Sequence, residues 1–131
     1  MKNCDEKKKF KREEECRRIF EELFCREFKS IRPSFLKNPR TGYNLEIDGF
    51  CDDYMLGFEH QGKQHYHYPN TYHKNEKDFY YQLQKDKFKK QKCKEYNVDL
   101  IIIPYNVPFK ELKTFIIHQL RCIGFTVNSN T

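Results

Sequence analysis

The chain has 131 residues, enough for a single domain spanning 1–131, and its 25 basic and 19 acidic residues give a formal charge of +6. No run approaches the roughly 18 consecutive apolar residues of a membrane span, and the charged N-terminus lacks the apolar stretch of a secretory leader. Membrane and secreted classes are therefore set aside, an intracellular location is expected, and the basic balance favours a polyanionic partner.

Residues 1–9 are lysine-rich and are expected to form a flexible basic tail. From 10 to 28 the pattern is helical: Cys16, Ile19, Phe20, Leu23, Phe24 and Phe28 recur at spacings of three and four and make one apolar stripe, which Glu13 extends. A loop is expected over 30–44, punctuated by Pro33, Pro39 and Gly42. Residues 45–50 alternate as a strand, Asp52-Asp53 make the turn, and 55–61 return as the hairpin partner. Parity puts Leu56, Phe58 and His60 on one face of that strand, and Met55, Gly57, Glu59 and Gln61 on the other.

A loop dense in Tyr, His and Asn fills 62–75, and a second helix is expected over 76–96, with Phe79, Leu83, Asp86 and Cys93 on one face. The run Leu100-Ile101-Ile102-Ile103, closed by Pro104, has the pattern of a fully buried strand. A last helix follows Pro108, over 109–122. The fold class is α/β: a mixed central sheet flanked by helices in the order αββαβα. Six cysteines, Cys4, Cys16, Cys25, Cys51, Cys93 and Cys122, form no C-x-x-C pair, which argues against a zinc ribbon and leaves reduced thiols as the expectation.

The chemistry concentrates around the hairpin. Asp48 and Glu59 are two carboxylates presented from adjacent strands, a hard-oxygen set suited to Mg²⁺ or Mn²⁺, with the backbone carbonyl of His60 as a further metal ligand. Gln61 shares the Glu59 face, and His65 follows the Gly62 turn with a side chain suited to proton transfer. Asp86 is a carboxylate on an otherwise apolar helical face; it either points into the cleft or pairs with Lys89 or Lys90 on its own helix. A zinc site from His65, His67 and His73 lacks a cysteine partner at ligand spacing and is disfavoured.

The run Glu46-Ile47-Asp48-Gly49-Phe50, followed by Gly57-Phe58-Glu59-His60-Gln61-Gly62-Lys63-Gln64-His65-Tyr66, resembles the PD-(D/E)XK restriction-endonuclease-like superfamily. More narrowly it resembles the branch near very-short-patch-repair endonucleases and the homing-type nucleases of phages and giant viruses, with the pattern E…D…E-x-x-G-x-x-H…D. The similarity runs from Glu13 to Tyr105 and takes in Arg17, Arg32-Pro33, Asp86, Lys89 and Cys93. It implies a restriction-endonuclease-like core and a Mg²⁺- or Mn²⁺-dependent DNA endonuclease, in the cytoplasm or nucleus of a host cell. In that reading Asp48 and Glu59 hold the metal, His65 assists, and Asp86 and Glu13 support; Glu13 stands beside Glu14 and Glu15, which compete for that place. Gln61 departs from the lysine that many members carry two residues past the glutamate, so His65 or Lys63 is expected to bring the positive charge.

The basic run on the second helix, including Lys85, Lys89 and Lys90, is expected with Lys63 and Tyr66 to contact nucleic acid; Tyr68, Tyr72, Tyr80 and Tyr81 are further candidates for a groove. DNA is the expected partner, with RNA and branched DNA open, as is a homodimer. The competing reading is a non-catalytic nucleic-acid-binding module on a degraded nuclease fold.

Overall fold

The computed structural model describes residues 4–70, 73 and 75–127. Helix α1 (Cys4–Phe24) leads into strand β1 (Lys29–Ile31), the hairpin β2 (Ile47–Cys51) and β3 (Leu56–Gln61), helix α2 (Glu76–Glu95), strand β4 (Asp99–Pro104) and helix α3 (Leu112–Cys122). The sheet order is β1-β2-β3-β4; β2 runs antiparallel to both β1 and β3, and β3 and β4 are parallel. This is the expected mixed sheet flanked by helices, with one strand more.

That strand is β1, within what the prolines had marked as loop. It pairs Lys29 with Phe50 and Ile31 with Ile47 across an irregular register, and its residues are too few to show an alternating pattern. A 3-10 turn, Ser34–Leu36, then plugs Leu36 into the core.

Helix α1 begins earlier and ends earlier than its apolar stripe suggests. Residues 4–9, expected as flexible tail, are its first turns; residues 1–3 lie outside the described residues. At the other end Cys25 adopts φ +53°, and its N–H bonds Glu21 O at 2.8 Å, so the chain reverses. Phe28 thus reaches the core from an extended segment, its N–H held by Glu21 Oε2 at 2.8 Å and its ring 5.2 Å from that of Phe20. Helix α2 matches its expected span, capped by the Asn75 side chain accepting from Asp78 N at 3.0 Å.

The sheet divides two apolar cores. On one face Cys16, Ile19 and Phe20 of α1 and Leu112, Ile116 and Leu120 of α3 pack on Leu56, Phe58, Ile101 and Ile103. On the other, Cys93 of α2 joins Leu36, Ile47 and Val98, with Leu100 and Phe50 against them. The parity of β3 therefore holds: Leu56 and Phe58 face α1 and α3, and Gly57 faces Ile47 and Leu100. Strand β4 is not fully buried as its sequence suggests. It is an edge strand, with Ile101 and Ile103 buried and Leu100 and Ile102 half-buried.

Candidate active site

The β2–β3 hairpin carries Asp48 and Glu59 into the interior. Gly49 pairs with Phe58, and one step further along that register sets Asp48 beside Glu59. Gly49 is needed there: a Cβ would lie 2.0 Å from the Phe58 ring. Both carboxylates are buried, at 6% and 5% exposure. Asp48 Oδ2 accepts the His60 backbone N–H at 2.9 Å, and Arg17 Nη2 donates to the Asp48 carbonyl, fixing the strand end from α1. Because N–H and C=O of one strand residue point the same way, the His60 carbonyl lies on the Asp48 side of β3.

Burial pushes the Asp48 carboxyl well above the usual carboxylate range, the charges of Glu59 and then Glu13 add to the rise, and the His60 N–H offsets part of it. Glu13 is raised too, mainly by burial, with Lys9 and Arg17 opposing. Of its competitors, Glu14 also reaches Arg17 but from an exposed position, and Glu15 bonds the exposed Arg18 at 2.8 Å. Glu13 is thus the first-helix carboxylate whose charge acts on Asp48.

Two paired groups from α2 complete the cluster. Lys89 Nζ donates to Glu59 Oε1 at 2.6 Å. His65, in the 3-10 turn Lys63–His65, places Nδ1 2.8 Å from Asp86 Oδ2, and Gln82 Nε2 donates to the other Asp86 oxygen at 3.0 Å. An ionised carboxylate only accepts, so Nδ1 carries the proton and Nε2 is the basic ring nitrogen. Gln61 Oε1 accepts from Tyr66 OH at 2.8 Å. Burial raises the Tyr66 phenol, and the charges of Asp86 and Glu59 raise it further, so one residue feels both pairs.

Several expectations are corrected by this arrangement. Asp86 pairs with His65, not with Lys89 or Lys90. Lys89, expected on a surface facing nucleic acid, is only 13% exposed at its side chain and is engaged by Glu59. It puts a cation at the glutamate, a role expected from the sequence of Lys63 or His65. Lys90 is exposed but borders a hollow with Lys94, Asn97 and Asp99 at the start of β4, the end away from the carboxylates. Lys85 lies over the Tyr81 ring, 4.7 Å from its centroid, beside Arg40. The basic run of α2 is therefore split between separate surfaces. Lys63 and Tyr66 are exposed near the site, and Tyr72 lies outside the described residues.

His65, His67 and His73 have separate partners: Asp86, Tyr105 and Asn70. Among the described residues no group of three or more His, Cys, Asp or Glu side chains could by itself hold a metal ion. Sequence reasoning missed Arg17 as the clamp on Asp48 and Arg12 as the partner of His60, whose Nε2 accepts from Arg12 Nε at 2.9 Å. The spacing held a signal: Arg12 and Cys16 are four apart, so Arg12 lies on the helix face that packs on the sheet. Burial, then the charges of Arg12 and Lys9, lower His60 to about 4.

Similar sequences occur in iridescent and frog viruses. The chain is 41% identical over 113 residues to uncharacterized protein 033L of Invertebrate iridescent virus 3, covering 86% of this chain and 58% of that protein. It is 39% identical over 103 residues to uncharacterized protein 307L of Invertebrate iridescent virus 6, covering 75% and 51%. With uncharacterized protein 094L of Frog virus 3 (isolate Goorha) it shares 34% over 98 residues, 74% of this chain and 63% of that one. The chain thus spans little more than half the length of the first two viral relatives. No family model and no solved structure matches it. Among the described residues no helix is long and apolar enough to cross a membrane.

Proposed function

We propose that this chain is a metal-dependent DNA endonuclease with a restriction-endonuclease-like core, centred on Asp48 and Glu59. The observation that carries the reading is the pair itself: two carboxylates buried side by side, Asp48 pushed up by burial and by the charges of Glu59 and Glu13. Buried like charges are costly unless a cation compensates them, and oxygen donors suit Mg²⁺ or Mn²⁺. The donors would be Asp48, Glu59 and the His60 carbonyl, with water for the remainder; two side chains suffice for a cation that keeps much of its hydration. Bound there, such a cation supplies Lewis-acid polarisation of a phosphate and a lowered pKa for water.

The remaining roles belong to the chain's own side chains. Lys89 brings the positive charge that Gln61 cannot, and it holds Glu59 in position. His65, its tautomer set by Asp86, offers Nε2 for proton transfer at the scissile phosphate. Gln61, tied to Tyr66, orients a water or a phosphate oxygen. The charge of Glu13 repels ionised Asp48 and so adds to the negative potential that a cation there would relieve.

The test is cleavage of supercoiled plasmid with Mg²⁺ or Mn²⁺ against a chelator control. Wild type is expected to nick and linearise the plasmid; activity no greater than that of Asp48→Ala or Glu59→Ala sinks the proposal. Duplex, single-stranded, mismatched and branched DNA and RNA then define the substrate form. A second reading, a nucleic-acid-binding module without catalysis, is favoured by the Lys89–Glu59 pair, which already neutralises the glutamate without any metal. Salt-dependent DNA binding without metal-dependent cutting selects it.

A further inference from the structure

A cavity of about 360 Å³ opens where α1 meets the ends of β3 and β4. Lys8, Lys9, Arg12 and Lys63 line it, with His60 and Tyr105 among the other walls, and no aspartate or glutamate is among its described lining residues. Among the described residues Lys8, Lys9 and Lys63 form no ion pair. Lys9 also acts on the Glu13 and Asp48 carboxyls, but the concavity itself is walled by cations alone among its described charged side chains, and a bound anion relieves the repulsion between them.

The pocket is also partly organised beforehand. Arg12 is fixed by bonds to His60 Nε2 and to the Val107 carbonyl, so its guanidinium is held at the wall without an anion present. Since His60 Nε2 accepts, its Nδ1 carries the proton, and that buried nitrogen has no hydrogen-bond partner among the described residues. Tyr105 adds an aromatic wall, its ring 5.7 Å from that of Tyr66. The volume falls in the lower part of the range for small-ligand sites, roughly 300–1,000 Å³, which suits one nucleotide and not a duplex.

We infer that this pocket binds the phosphate monoester of a single nucleotide, as carried by a nucleic-acid end, with Lys9, Arg12 and Lys63 on the phosphate and Tyr105 beside the base. His60 joins the pocket to the acidic pair: its side chain lines the cavity, and its backbone N–H bonds Asp48. A chain anchored by its terminal phosphate therefore presents an adjoining phosphodiester to Asp48 and Glu59. This last consequence rests on the nuclease reading; the phosphate site itself does not.

The experiment is equilibrium binding in chelator, so that no cleavage is read. Fluorescence anisotropy compares one oligonucleotide bearing a 5′-phosphate, a 3′-phosphate or hydroxyl ends, with inorganic phosphate and deoxyadenosine 5′-monophosphate as competitors. A phosphorylated end is expected to bind about tenfold tighter than a hydroxyl end, as one added set of charge-assisted hydrogen bonds allows. The double substitution Lys9→Ala/Lys63→Ala, at solvent-accessible positions, is expected to erase the preference. Lys94→Ala, which removes a charge at the far end of β4, is expected to keep it. Binding of the mononucleotide without any oligonucleotide binding supports the site and assigns it to a free nucleotide. Equal affinity for phosphate and hydroxyl ends, a preference that survives the double substitution, or no binding of any phosphate probe overturns it. Plasmid cleavage is measured separately, so loss of the nuclease reading leaves this result standing, and the converse holds.

Discussion

Lys89 Nζ lies 2.6 Å from Glu59 Oε1, so a lysine on α2 stands against the glutamate of β3 across the sheet face. The two side chains are 13% and 6% exposed, and neither charge has another ion-pair partner among the described residues. This pair bears both on the stability of the fold and on the chemistry proposed for it, because α2 is docked over the site by a charge as well as by Cys93.

Removing the lysine leaves a buried carboxylate without compensation. Lys89→Met is expected to destabilise the chain by about 3 kcal/mol, the usual cost of breaking a buried pair from one side. Lys89→Met/Glu59→Gln is expected to recover most of that loss, since neither member of the pair then carries a charge. Urea denaturation of the two variants reads the difference; equal stability of the single and double variants refutes the buried-pair account.

The Asp48 carboxyl has its proton affinity raised by folding, which sets the sign of a pH effect. Between the unfolded carboxylate pKa of about 3.9 and the raised folded value, the folded chain holds more protons than the unfolded one. Stability contributed at this residue therefore falls as pH rises through that window, and the penalty is complete above the folded pKa. Asp48→Asn keeps an acceptor for the His60 N–H and removes the charge. Its melting temperature is expected to match wild type in acid and to exceed it at alkaline pH. Thermal scans across pH check this, and a constant offset between the two proteins contradicts it.

The proton-transfer role given to His65 predicts a loss in turnover and little change in substrate affinity. His65→Ala is expected to lower kcat by about 100-fold, at the lower end of what general acid–base catalysis contributes. Asp86 acts through His65, as a positioning residue. Asp86→Asn is expected to lower kcat by a smaller factor, and Asp86→Glu to restore part of it. Steady-state cleavage of a short labelled duplex supplies both constants; a rise in KM at constant kcat would point to substrate binding in place of proton transfer.

Gly49 gives a prediction about the hairpin that presents the site. A methyl group there would overlap the Phe58 ring, with 2.0 Å to its nearest atom, and Phe58 is stacked 4.8 Å from Phe20. Gly49→Ala is expected to cost about 1–3 kcal/mol through overpacking. Adding Phe58→Leu, which frees the space, is expected to reduce the cost relative to Phe58→Leu alone. Chemical denaturation of the four-member cycle measures the coupling.

Much of the frame was legible in the residues themselves. The alternation over 45–61 announced the hairpin, and parity separated the Phe58 face from the Glu59 face, because side chains along a strand alternate whatever surrounds them. The recurrence of Phe79, Leu83 and Cys93 on one face marked α2. Strand β1 was hidden because three residues show no period, and its partner β2 is distant in sequence. Cys25, with φ +53°, was hidden because nothing local marks a non-glycine residue for the left-handed region.

What the sequence determined by itself was therefore the set of local periods and the two carboxylates they bring to one hairpin. Only the tertiary structure decided their partners. Asp86 had Lys89 and Lys90 within helical reach, yet His65 took it and Glu59 took Lys89. Spacing along a helix ranks neighbours on that helix, while buried charges pair with whatever the packed sheet brings close, since leaving them unpaired costs more than any local contact returns.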